Sequence, residues 1–371
     1  MKCEVEFLAV GSASRAGDAI IVRYGETTAY DLMVVDGGTA ESGETLVNHL
    51  QGHFPNRSLA HVVLTHSDQD HASGLREVLR RVRVANLWLH IPWLLAPYAS
   101  DLFKTKQLSQ AQLDSMRHEY DVIDELVQLA QAQGTVLHYP FQGQVIGPFC
   151  VLSPSWETYR HLLPQFDRTP EPDREQIEGA SMWIGTQRSS IELVMRALFE
   201  SGAAKQKLTL ESWQVERLKD GGVTSPSNES SVVLYGEFEQ GRYLLTGDAG
   251  VRALTWAADY AQAMGVTLGK FSFVQVPHHG SRRNVGPTIL NRLLGPIRIV
   301  RSGSTFTAFV SAPASDDIHP RKMVVNAFTR RGGNVFGTQG RHLIHYGGFP
   351  ARESYKDAES LKLAATVEEY D

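Results

Sequence analysis

The chain has little cysteine: Cys3 and Cys150 are its only two, far apart and in no CxxC pattern. That excludes a disulfide framework and a thiolate zinc site, and it points to a reducing compartment. Long apolar runs are also missing. No stretch of about 18 apolar residues occurs, so the sequence predicts no membrane span. Excess charge of one sign is absent as well, since the formal net charge is −5 over 371 residues. There is thus no basic footprint for wrapping nucleic acid, although local basic patches remain open. Serine-hydrolase chemistry lacks its GxSxG elbow. The first residues, Met1-Lys2-Cys3-Glu4-Val5-Glu6-Phe7, alternate polar and apolar and carry early acids, so they read as a strand and not as a signal peptide. A cytoplasmic protein is the expectation.

What is present is globular: 42% hydrophobic and 21% charged residues are ordinary for a folded domain. Strand-like runs crowd both ends of the chain, at Cys3–Val10, Asp18–Tyr24, Asp31–Val35 and His61–Thr65, then Ser231–Gly236, Arg242–Thr246, Phe271–Val276 and Ile297–Val300. Residues 92–227 differ, with a helical stripe of Leu113, Met116, Tyr120, Ile123, Val127 and Ala130, and several proline-containing loops. They read as a mainly helical insertion between 1–91 and 228–350. It would serve as a lid, a specificity cap or a docking surface for a partner such as an ATPase. Asp167–Glu178 reads as a loop, and the acidic tail 351–371 as a terminal helix or a frayed end.

The chemistry gathers where strands end. The run His61–Thr65 closes abruptly in His66-Ser67-Asp68-Gln69-Asp70-His71, two imidazoles and two carboxylates within six positions, a density that suits a divalent metal pair. Burying four such groups together without a metal would be costly. Leu245-Thr246-Gly247-Asp248 delivers a carboxylate after an apolar strand, and Val276-Pro277-His278-His279 delivers paired histidines after the next. Ser281, Arg282 and Arg283 follow that pair and suit a phosphate.

His66-x-Asp68-x-Asp70-His71 resembles the HxHxDH signature of the metallo-β-lactamase superfamily, with aspartate in place of the second histidine. With Asp36-Gly37-Gly38 upstream and Thr246-Gly247-Asp248 and His278-His279-Gly280-Ser281 downstream, it is similar to the hydrolase domain of ComEC-type DNA-uptake competence proteins. Gly17-Asp18-Ala19, Asn228-Glu229-Ser230-Ser231, Ile318-His319-Pro320 and a final hairpin at Phe336–Arg341 add to the likeness, which covers about 1–90 and 228–346. The membrane channel of the competence proteins has no counterpart here.

The resemblance implies an α/β fold, an αββα sandwich of two mixed sheets with flanking helices, and a dinuclear site at one edge. By position, His66 and Asp68 would hold one ion, Asp70 and His71 the second, and Asp248 would bridge them. One of His278 and His279 would complete the ligand set of the second ion, with His278, nearer the strand end, preferred. Asp36 and Asn228 would orient ligands without binding metal, Asn228 standing where no third histidine is found. His319 would protonate a leaving oxygen or touch the phosphate. The aspartate-rich set is harder than a three-histidine one, which favours Mn2+ over Zn2+. The expected activity is phosphodiester hydrolysis of nucleic acid, single-stranded DNA first, against a small phosphodiester or lactone as the other substrate class.

Overall fold

The structure is a computed structural model that describes residues 1–12, 17–183, 207–353 and 355–370. Its strands are β1 Lys2–Phe7, β2 Ala19–Gly25, β3 Tyr30–Gly37, β4 Leu59–Val63, β5 Val84–Trp88, β6 Val136–His138, β7 Val145–Ile146 and β8 Phe149–Ser153. Then follow β9 Leu208–Leu210, β10 Val233–Phe238, β11 Gly241–Leu245, β12 Phe271–Gln275, β13 Phe306–Val310, β14 Gly333–Gly337, β15 Leu343–His345 and β16 Thr366–Glu368. Two seven-stranded sheets form, in the orders β15-β1-β2-β3-β4-β5-β6 and β14-β13-β12-β11-β10-β8-β7. Each is antiparallel at one end and parallel at the other.

Alternation along the strands builds the layers. Val5, Phe7, Ile20, Val22, Met33 and Val35 of the first sheet meet Phe149, Val151, Leu234, Tyr243, Phe273 and Phe309 of the second in a buried seam. Phe7 packs edge-on against both Phe273 and Phe309, at ring separations of 6.1 and 5.5 Å. The opposite faces are covered by helices. Ala40–His53, Leu75–Arg81 and Asp121–Gln133 bury their apolar stripes on the first sheet, and Val251–Ala263, Pro287–Leu294 and Lys322–Arg330 on the second. The result is the expected αββα sandwich, a mixed α/β fold of two large sheets with flanking helices.

Several boundaries differ from the sequence reading. Residues 92–227 are not wholly an insertion: β6 extends the edge of the first sheet, and β7 and β8 extend the second. These strands are only two to five residues long, which hid them. The helical stripe lies on two helices, Gln110–Glu119 and Asp121–Gln133, broken at Tyr120, and it packs into the protein's own core. Asp167–Glu178 is not all loop, because a helix begins at Arg174. Ile297–Val300 is not a strand; Ile299 is 93% exposed, and the strand comes later, as β13. The tail is neither helical nor frayed throughout, for β16 pairs antiparallel with β9 and buries Val367. The final hairpin is also corrected: β14 stays in the second sheet while β15 joins β1 in the first, so the turn between them crosses from sheet to sheet.

Candidate metal centre

The polar strand ends converge where the two sheets meet. On the first sheet, Asp36 closes β3 and the His66–His71 turn follows β4; on the second, Asp248 follows β11 and His278–His279 follow β12. Asp36, His278 and His279 all take positive φ, at 57°, 46° and 56°. L-residues rarely accept that conformation, and such strain gathers at functional sites. Close backbone approach requires glycine at two further points. A Cβ on Gly17 would fall 1.8 Å from the carbonyl oxygen of Asp70, and one on Gly247 would fall 2.9 Å from Cβ of Thr65.

Asp36, fully buried, organises the first-sheet ligands. It accepts from the Thr65 N–H at 2.7 Å, the Thr65 hydroxyl at 2.6 Å and His71 Nδ1 at 2.8 Å. The Thr65 hydroxyl, having donated to Asp36, accepts from His66 Nδ1 at 3.0 Å. Both imidazoles therefore hold their proton on Nδ1 and turn an Nε2 lone pair inward. The second sheet repeats the device with different partners. His279 Nδ1 donates to Ser311 O at 3.1 Å, and His278 Nδ1 to Asn284 Oδ1 at 2.7 Å.

All four Nε2 atoms face one oxygen. From Asp248 Oδ2, His71 lies at 3.3 Å, His278 at 3.6 Å, His279 at 3.8 Å and His66 at 3.9 Å. His66 Nε2, His71 Nε2 and Asp248 Oδ1 are buried with no hydrogen-bond partner among the described residues. Leaving three such atoms unmatched costs roughly 1–3 kcal/mol each. A divalent ion removes that cost, so the donor set fits a metal.

The electrostatics agree. Burial pushes the Asp248 carboxyl up, but the facing His71, His278 and His279 outweigh it and hold the group well below the usual carboxylate range. Burial works against a charged His71, yet Asp248 and Asp36 raise it well above an ordinary histidine. His279 is pushed down to about 4 by burial, against the pull of Asp248.

Each residue expected at the site can be placed. The ligand atoms of His66, His71 and Asp248 lie within 4.8 Å of one another, and so do those of Asp70, His71 and His279, and of Asp248, His278 and His279. Both histidines of the pair join Asp248, but only His279 also joins Asp70 and His71, and it is buried while the His278 side chain is 31% exposed. Being nearer the strand end did not bring His278 deeper, because the positive-φ turn swings the second histidine inward. Asp68 sits 3.5 Å from His66 Nε2 and accepts from the Ser227 hydroxyl at 2.6 Å. Asn228 lies beside His278, Nδ2 to Nδ1 at 3.2 Å, and donates to Thr224.

His319 bonds Asp316 Oδ2 through Nδ1 at 3.0 Å, and burial lowers it to about 4 despite that carboxylate. Ser281 is buried. Arg282 Nη1 donates to Glu369 O at 2.6 Å and its guanidinium lies over the Tyr370 ring at 4.7 Å. Arg283 follows in the same loop.

Three contributors escaped the sequence reading. Asp18, buried and pushed up to about 7 by burial, accepts from Gln275 Nε2 at 2.8 Å. Gln275 Oε1 in turn accepts the N–H groups of Thr246 and Gly247 at 2.9 and 3.1 Å, tying the first sheet to the Asp248 turn. Asn284 Nδ2 donates to Asp248 O at 2.8 Å. For Asp18 a signal existed, the Gly17-Asp18-Ala19 start; Gln275 inside an apolar strand was the other.

Comparison with known proteins follows this geometry. Residues 15–151 match the model of the metallo-β-lactamase superfamily, a stretch that runs on through β6 and β7. No curated protein matches. Among solved structures the chain is similar to Tm1679, a metal-dependent hydrolase of the β-lactamase superfamily, at 12% identity over 92% of this chain and 98% of that one, with TM-score 0.41. It is also similar to the metallo-β-lactamase fold protein YhfI from Bacillus subtilis, at 9% identity over 93% and 100%, with TM-score 0.40. The model match takes in Asp18, Asp36 and the His66–His71 turn but stops short of Asp248, His278 and His279, and the likeness to ComEC-type proteins finds no counterpart in these matches.

Proposed function

We propose that this chain is a metal-dependent hydrolase of the metallo-β-lactamase superfamily that cleaves phosphodiester bonds in nucleic acid, with single-stranded DNA as first substrate. The observation that carries the reading is the convergence of buried, unpartnered His66 Nε2, His71 Nε2 and Asp248 Oδ1 beside the carboxylates Asp68 and Asp70. In this reading His66 and Asp68 hold one divalent ion, Asp70, His71 and His279 hold a second, and Asp248 serves both. Such an ion pair, when bound, makes a water acidic enough to ionise near neutral pH and neutralises the non-bridging oxygens of a phosphodiester. The chain's own residues do the positioning. Asp36 fixes the tautomer of His71 and, through Thr65, of His66. His319, its Nδ1 held by Asp316, stands to contact the phosphate or to protonate a leaving oxygen. Asp68 in place of an imidazole favours manganese over zinc.

A small phosphodiester or lactone is the second reading, favoured by the net charge of −5 and the lack of a basic stripe. Salt separates the two, because cleavage of a polyanion weakens steeply as ionic strength rises and turnover of a small molecule does not. The decisive experiment supplies end-labelled single-stranded DNA, duplex DNA and RNA to purified protein with Mn2+, Zn2+ or EDTA, with H66A as control. Manganese-dependent cleavage absent from H66A is the expected result. Intact polymers under every metal would overturn the nuclease reading.

A further inference from the structure

Strands β3, β4 and β5 run parallel, with Asp36 and the His66–His71 turn at the C-terminal ends of β3 and β4. At the N-terminal ends, beside the last turns of the helices Ala40–His53 and Leu75–Arg81, lies a cleft of about 610 Å³. The five residues of β4, at about 3.3 Å each, hold the two ends roughly 16 Å apart. The cleft is therefore a place distinct from the metal centre. Its floor is apolar, made by the buried Leu32, Leu50 and Phe54. Around that floor stand Arg57, Arg81 and Arg83, all exposed, and every other lining side chain is uncharged, so no carboxylate lines the cleft with them. Glu77, on the helix that ends in Arg81, accepts from Arg80 instead. Arg57 follows Asn56, whose φ is 60°, and lays its guanidinium over the Tyr30 ring at 4.5 Å. Arg81 Nη2 reaches only the neutral Asn48 Oδ1, at 3.4 Å. On a chain whose net charge is −5, three cations around one cleft repel one another and focus a positive potential there, which an anion relieves. The volume falls within the range of small-molecule sites, about 300–1,000 Å³. It exceeds what a bare phosphate fills, and the apolar floor suits an organic group.

We propose that this cleft is a second binding site that takes a nucleoside phosphate, with Arg57, Arg81 and Arg83 on the phosphates and the base against Leu32, Leu50 and Phe54. Guanidinium groups match phosphate oxygens with paired N–H donors and also lie well against flat rings. The ligand arrives either as a free nucleotide or as one unit of a nucleic-acid strand. The site stands whichever bond the metal centre cleaves.

The test titrates ADP and inorganic pyrophosphate by calorimetry into metal-loaded wild type, H66A, R57A, R81A, R83A and the triple alanine variant, with melting temperatures measured alongside. Each single alanine should weaken ADP binding about tenfold, and the triple variant should abolish it. H66A should bind ADP as wild type does, because its damage lies at the other end of the strands. Pyrophosphate should bind more weakly than ADP. A short oligothymidylate offered to H66A then distinguishes the sources: displacement of ADP assigns the site to a strand, and undisturbed ADP assigns it to a free nucleotide. Absence of ADP binding to wild type, equal ADP affinity in wild type and the triple variant, or loss of ADP binding in H66A would overturn the proposal. Pyrophosphate bound as tightly as ADP would overturn the role of the apolar floor. None of these outcomes depends on whether DNA is cleaved.

Discussion

The two sheets furnish the centre in opposite ways. The first supplies His66, Asp68, Asp70 and His71 from a single turn, and one buried carboxylate, Asp36, holds both imidazoles through direct contact and through Thr65. The second supplies Asp248, His278 and His279 from two neighbouring strand ends, steadied by several partners: Asn284 holds His278 and the Asp248 carbonyl, Gln275 the turn before Asp248, and Ser311 His279. A local turn is organised by its own sequence, whereas the second set takes its place only once β11 and β12 are in register. The first half can be damaged through one shared support. The second has to be damaged ligand by ligand.

The sharpest way to break this asymmetry is at the residue both halves face. Asp248→Asn replaces a charged carboxylate surrounded by four imidazoles, and a neutral amide neutralises cations poorly; turnover should fall on the order of a thousandfold. Metal analysis should show loss of at least one ion, with circular dichroism unchanged. Asp70→Ala should behave alike, and wild-type turnover in either variant would refute the dinuclear assignment. A smaller effect tests the shared support. Asp36→Asn keeps the shape but presents a donor where three hydrogen bonds need acceptors, so metal affinity should drop about 10- to 100-fold, as for other groups that orient ligands. Titration with a competing chelator measures it, and an unchanged affinity would show that the turn orients itself. The smallest contrast lies within the second half. His279→Ala should lower metal affinity about tenfold more than His278→Ala, as expected for a ligand against a neighbour; the reverse order would restore His278 as the ligand.

The same asymmetry governs what could be read from sequence. The His66–His71 turn was legible because its ligands lie within six residues, and Asp36 because a Gly-Gly pair follows it at a strand end. Asp248 and the histidine pair were legible as polar residues closing apolar runs. The choice between His278 and His279 was not, since a pair of left-handed residues decides which ring enters the site, and neither is glycine. Asp18 and Gln275 act through a bond between residues 257 positions apart, beyond the reach of any local pattern. Strands β6 to β8 and β16 follow from pairing partners and not from their own composition. Ile297–Val300 shows the converse, an apolar run with strand character that the sheets leave unpaired.

The crossing from β14 to β15 bears on how the chain is made. Strand β1 leaves the ribosome well before β15, yet one of its edges is paired by β15, at residues 343–345. Throughout synthesis that edge offers open N–H and C=O groups to any other extended segment. A nascent chain stalled before residue 343 would thus carry the whole His66–His71 turn, and Asp248, His278 and His279 too, on a sheet still able to recruit a stray strand. Translation past the last crossing, and not completion of the ligand set, is the step that covers this edge.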